Sequence, residues 1–243
     1  MGMDLVSALA ANSERLAGLL ATHLDDQVPA CPDWNGLDLL AHVTMVQRFW
    51  TEMTRRAGDP PPDERPPYNA TIDPIEQVRA ATRELVEAFI AVDPSAPTWV
   101  WWNDARRDTV AASIRRQAHE ALIHRVDAEQ TAGLASELDS LLAADGVAEF
   151  LERMLADVTP SSWAAETGLI EVVASDVEQR WYVRVDGSGA RLDETPAGPT
   201  LATISGTAAD LDLALWRRRG WGSLEFAGDL DAIEALLTAA DLS

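Results

Sequence analysis

The chain has no lysine. All 19 of its basic residues are arginine, set against 40 Asp and Glu, and the formal net charge is −21. Such an excess of carboxylates repels phosphate backbones and anionic lipid surfaces, so neither nucleic acid nor a membrane surface is an expected partner. Cysteine is almost absent as well. Cys31 on its own cannot form an intramolecular disulfide, which agrees with a reducing compartment. No run of about 18 apolar residues exists to span a bilayer. The opening Met1-Gly2-Met3-Asp4-Leu5 lacks a basic segment followed by an apolar core, so no secretory signal is read and the cytoplasm is the expected compartment. Histidine is scarce, and His23, His42, His119 and His124 are the only imidazoles available for metal binding or proton transfer.

What is present reads as a globular protein, with 47% hydrophobic and 24% charged residues in a chain of 243, enough for one large domain or two ordinary ones. The first part is helical in pattern. Apolar positions recur at helical spacing from Met3 to about His23, from Gly36 to Arg55, from Asp73-Pro74 to about Val92, from Thr109 to Thr131 and from Ser140 to Asp157. Asn35 and Asp38 look like the start of the second of these helices. Five prolines within residues 58–67 mark a loop. Residues 93–107 read as irregular. Their tryptophans, Trp99, Trp101 and Trp102, suit either the wall of a ligand cavity or the cap of a helical bundle.

The most informative stretch runs from Arg115 to Glu129. It has neither Gly nor Pro and is rich in Ala, Arg, Glu and Leu, so it prefers a helix. At roughly 100° per residue, Glu120 and His124 lie about 40° apart on one face, whereas His119 and His124 are about 140° apart. Glu120 with His124 is therefore the pair able to grip one ion. Two ligands need a third, and His42, inside the second helix, is the best placed by pattern. The same residues also suit a surface hydrogen-bonded pair and a satisfied core histidine. His23 reads as an exposed helix-end residue, and Cys31 as a small apolar side chain in a turn. Asp145 and Glu149 read as solvated acids.

The grammar changes at Thr159-Pro160. Short runs at residues 169–174, 180–185 and 201–205 have the β-branched and aromatic content of strands. A helix at 208–219, a strand at 224–226 and a final helix at 230–240 follow. The expected architecture is α plus α+β: a four-helix-type bundle over residues 1–158, then a small α+β domain with a mostly antiparallel sheet over residues 159–243.

Four segments together resemble the mycothiol-dependent maleylpyruvate isomerase-like family of actinobacteria. They are Val28-Pro29-Ala30-Cys31-Pro32-Asp33-Trp34 leading into Asp38-Leu39-Leu40-Ala41-His42, the run from Arg115 to Glu129, the run from Ala144 to Phe150, and Leu213-Ala214-Leu215-Trp216-Arg217-Arg218-Arg219 ahead of Ala227-Gly228-Asp229. The resemblance implies a DinB-like bundle holding zinc or another divalent metal, and a second domain resembling the sterol-carrier-protein type. It maps the metal ligands onto His42, Glu120 and His124; Asp127, three residues after His124, suits either an orienting partner of that imidazole or a surface salt bridge to an arginine. It implies mycothiol as the thiol cosubstrate, a small unsaturated acid as substrate, and cis–trans isomerisation or thiol addition as the reaction. Arg218 and Arg116 are the candidate catalytic, anion-binding residues. The family's usual Gly is Arg217 here, which leaves the choice within Arg217 to Arg219 open. Mycothiol S-transfer in detoxification, and a ligand-binding protein with a structural metal, are the competing functions. A monomer or a homodimer is compatible with all of them.

Overall fold

The computed structural model describes residues 3–63, 68–102, 105–155, 167–186 and 189–239. They pack as two units, residues 1–136 and 137–243.

The first unit is built on four helices: α1 (Leu5–Leu20), α2 (Gly36–Arg55), α3 (Pro74–Ala91) and α4 (Val110–Thr131). Each start is chemically specified. Asp4, Asp73 and Thr109 cap α1, α3 and α4, while Pro74 supplies a first-turn residue that needs no N–H partner. At α2 the cap is reciprocal: Asn35 Oδ1 accepts from the Asp38 N–H and the Asp38 carboxylate accepts from the Asn35 N–H, both at 3.0 Å. Going round the bundle, α4 contacts α1 and α2, and α3 closes the ring between them. Leu16, Leu20, Leu40, Val43 and Val78 fill one end of the core. Trp50, Met53, Leu85, Phe89 and Trp102 fill the other. A buried polar thread sets the helices in register, Gln47 Nε2 donating to Ser13 Oγ and Thr82 Oγ1 to Gln47 Oε1, each at 2.9 Å.

The stretch expected to be irregular contains a short antiparallel hairpin, β1 (Pro97–Trp99) with β2 (Arg107–Thr109). Three-residue strands are too short to show a period. Between α1 and α2 the chain folds back on itself through hydrogen bonds from Val28 N–H to Trp34 O, Trp34 N–H to Cys31 O and Gly36 N–H to Asp26 O, at 2.9–3.0 Å. Gly36 makes this possible. A Cβ there would stand 2.2 Å from the His23 carbonyl oxygen.

The second unit begins earlier than expected. Helix α5 (Ser140–Arg153) packs on the second unit's α6 (Ala208–Leu215) and on two of its strands, and this unit spans residues 137–243 where the expected domain spans 159–243. Its apolar stripe fits either home by pattern alone. What decides is shape: Phe150 meets Trp216 edge-on at 5.1 Å, and Gly146 lets Asp212 approach to where a Cβ would lie 2.8 Å from its carboxylate. Glu149, read as solvated, is 1% exposed in this packing. The expected boundary at 158–159 and the end of α5 at Asp157 fall outside the described residues.

The sheet has the order β5-β4-β3-β6-β7, formed by β3 (Gly168–Ala174), β4 (Gln179–Asp186), β5 (Gly189–Leu192), β6 (Thr200–Gly206) and β7 (Glu225–Gly228). Neighbours are antiparallel except β3 with β6. Helix α7 (Leu230–Ala239) packs against β6. Helix α6 stops four residues short of the expected Arg219. Arg217 sits in the left-handed region at φ 59°, the Arg217 N–H returns to Ala214 O and the Arg218 N–H to Leu213 O, a pairing that ends a helix and ordinarily favours Gly at Arg217.

Gly36→Ala should lower bundle stability by about 2–3 kcal/mol, because the methyl group meets backbone that cannot swing aside. Chemical denaturation followed by tryptophan emission will show it as a lower midpoint.

Candidate metal centre and its cavity

His42 lies two turns into α2, and Glu120 and His124 lie one turn apart in the middle of α4. Because α2 and α4 are direct neighbours, the three side chains meet between them. Their donor atoms all lie within 4.8 Å of one another. Glu120 Oε1 is the shared point, 3.1 Å from His124 Nε2 and 3.3 Å from His42 Nε2. The two imidazoles stand edge to face with centroids 4.8 Å apart. Two ligands of a tetrahedral zinc ion stand roughly 3.3 Å apart. The set therefore fits a small divalent cation, which can take two imidazole nitrogens and a carboxylate oxygen here.

Neighbouring groups fix the orientation of each ligand. Asp127, fully buried, lies 2.8 Å from His124 Nδ1 and so turns Nε2 toward Glu120. Arg116 Nη2 donates to Glu120 Oε2 at 3.0 Å, which leaves Oε1 facing the imidazoles. Trp34, held by the folded-back loop before α2, packs on His42 with centroids 4.7 Å apart. Arg116 and Asp127 were expected near the site. Trp34 enters the sequence reading through the family resemblance alone; its proximity depends on a loop whose closure leaves no periodic signal.

The electrostatics follow from this crowding. Burial acts to lower the pKa of His124, but the Glu120 charge and the hydrogen bonds that Asp127 and Glu120 accept outweigh it and push the imidazole up to about 9. Burial acts to raise the Glu120 carboxyl, yet His124, His42 and Arg116 hold it well below the ordinary carboxylate range. Carboxylate and imidazole thus each favour the other's charged form.

The site opens into a cavity of about 560 Å³. His42, Arg116, Gln117 and Glu120 form its polar end, and Met45, Phe49, Trp99 and Trp101 are among its apolar walls. The three tryptophans thus divide: Trp99 and Trp101 border the cavity, while Trp102 is buried and stacked on Trp50. Of the remaining histidines, His23 is bonded to Asp26 at 2.7 Å near the end of α1, and His119 is 1% exposed in α4. Cys31 packs against the bundle core. Arg218 belongs to the second unit, where its Nη1 donates to Trp216 O at 2.8 Å; Arg217 donates to Thr238 O, and Arg219 pairs with Asp210.

Residues 6–129 match the family described as the mycothiol maleylpyruvate isomerase N-terminal domain, and residues 142–235 match the MDMPI C-terminal domain. The chain belongs to the mycothiol-dependent maleylpyruvate isomerase family. It is an enzyme of that family. Two solved structures share the fold: the mycothiol-dependent maleylpyruvate isomerase itself, at TM-score 0.65, and a histidine-to-alanine variant of it, at 0.62. Each is 14% identical, with 92% of both chains covered. No curated protein matches the sequence significantly. The second domain match begins at residue 142, ahead of the expected boundary, in agreement with the place of α5.

The His124 pair gives a pH prediction for the metal-free protein. The folded-state pKa of about 9 lies above the ordinary imidazole value of 6.5, so the stabilisation is full below pH 6.5 and is lost as pH rises through about 9. NMR titration of the ring C–H should place the His124 midpoint near 9, and the stability gap between wild type and His124→Gln should close above it.

Proposed function

We propose that His42, Glu120 and His124 hold a divalent metal ion, zinc by the character of the donor set, in a mycothiol-using isomerase acting on an unsaturated carbonyl acid. The observation that carries this reading is the convergence of three donor atoms within 4.8 Å at the edge of a cavity. A cation with three protein ligands keeps a further position, and its charge stabilises a bound thiol as thiolate at neutral pH. The opening toward the cavity favours such an open site over a closed structural one.

The chain's own residues do the rest. Asp127 keeps His124 in the tautomer with Nε2 available, because its carboxylate accepts the Nδ1 proton. Arg116 holds Glu120 in place and puts positive charge at the polar end of the cavity, where it can meet a substrate carboxylate. Arg218 is proposed as an anion-binding residue of the second unit. The thiolate of mycothiol adds to one carbon of the activated cis double bond, the resulting single bond turns, and loss of the same thiolate restores the double bond as trans. No electrons or atoms are gained overall, so the thiol is returned unchanged.

Untagged protein should carry about one equivalent of zinc by elemental analysis, and His42→Ala and His124→Ala should lose both the metal and mycothiol-dependent isomerase activity while keeping helical circular dichroism. Asp127→Asn should weaken metal binding or activity roughly 10- to 100-fold. Retention of stoichiometric metal by both histidine variants would overturn the assignment.

A further inference from the structure

The cavity beside the proposed metal centre is larger, and among its described lining residues less cationic, than a small diacid requires. At about 560 Å³ it falls in the range of sites that enclose drug-sized ligands. A desolvated dicarboxylate needs charged or N–H-rich partners at both ends. Among the described lining residues, Arg116 is the one guanidinium, it already donates to Glu120, and Asp63 adds a further carboxylate. The remaining walls favour a flat apolar body. Phe49 and Trp99 stand edge to face at 5.9 Å, Pro61 and Pro62 face the same space, and Trp101 lines it while 39% exposed.

Gln117 adds a specific demand. It precedes Glu120 by three residues on α4 and so shares its face. It is 1% exposed, its Oε1 accepts no hydrogen bond from any described residue, and it lines the cavity. A buried amide oxygen in that state calls for a donor, and the cavity is where a ligand can supply one.

We infer that the substrate is a predominantly flat, apolar unsaturated carbonyl compound, aryl-substituted, carrying at most one carboxylate and a neutral hydrogen-bond donor such as a phenol hydroxyl that Gln117 receives. The inference rests on reading this cavity as the substrate site. Its test is made first on metal-free protein, so that failure of the metal assignment and failure of this one are told apart.

The probes are para-hydroxybenzylideneacetone, benzylideneacetone and maleate, with binding followed by calorimetry in metal-free and zinc-loaded protein. The hydroxyaryl ketone should bind at least ~10-fold more tightly than maleate in both, and removing its hydroxyl should weaken binding ~5-fold. Gln117→Leu should erase that hydroxyl preference while leaving affinity for the unsubstituted ketone. Trp101→Ala, at a 39% exposed position, should weaken both aryl ketones ~5-fold. Maleate binding as tightly as the aryl ketones, no aryl binding at all, a hydroxyl preference that survives Gln117→Leu, or indifference to Trp101→Ala would each overturn the inference.

Discussion

One carboxylate oxygen, Glu120 Oε1, organises the first unit's chemistry. It is approached by two imidazole nitrogens from different helices, at 3.1 and 3.3 Å. Such a cluster is poorly stable unless something positive occupies it, whether a proton or a metal ion. The rest of the bundle serves to hold it. The α2 capping box and the Gly36 approach set where His42 begins its turn, Trp34 backs its ring, and Arg116 and Asp127 clamp the two α4 ligands from either side.

The helix carrying most of this chemistry is unusual in what it buries. Arg116, Gln117, His119, His124, Asp127 and Glu129 are all at most 6% exposed on α4. Burying so many polar groups is costly unless each finds a partner. Some are satisfied within the bundle, as Glu129 is by Arg15 and Arg125. Arg116 and Gln117 line the cavity. A core built for stability alone would have used apolar side chains at these positions.

Much of this was legible in the sequence because it is local. Helix periodicity located all four bundle helices, and the i, i+4 relation paired Glu120 with His124 while setting His119 aside. His42 could be nominated by pattern, but it was joined to the pair through family resemblance, because contacts between helices leave no mark in spacing. The strands of the second unit were visible where β-branched and aromatic residues cluster. The β1–β2 pair, three residues to a strand, and β5, Gly189-Ala190-Arg191-Leu192 with no such residue, were missed. Helix α5 was assigned to the wrong unit for a related reason: its stripe shows that it is buried on one side, not against what. Arg217 shows the limit from the other direction, since an arginine in a left-handed helix-ending position hides a stop signal that Gly would have announced.

The defining property of the proposed centre is a metal-binding position left open for a thiol, and cobalt(II) tests for it directly. Metal-free protein loaded with one equivalent of cobalt(II) and then mixed with mycothiol should develop a thiolate-to-cobalt charge-transfer absorption in the near ultraviolet, saturating at one thiol per protein and absent from His124→Ala. A cobalt spectrum that mycothiol leaves unchanged would contradict an open, thiol-binding centre and leave the cluster as a structural site.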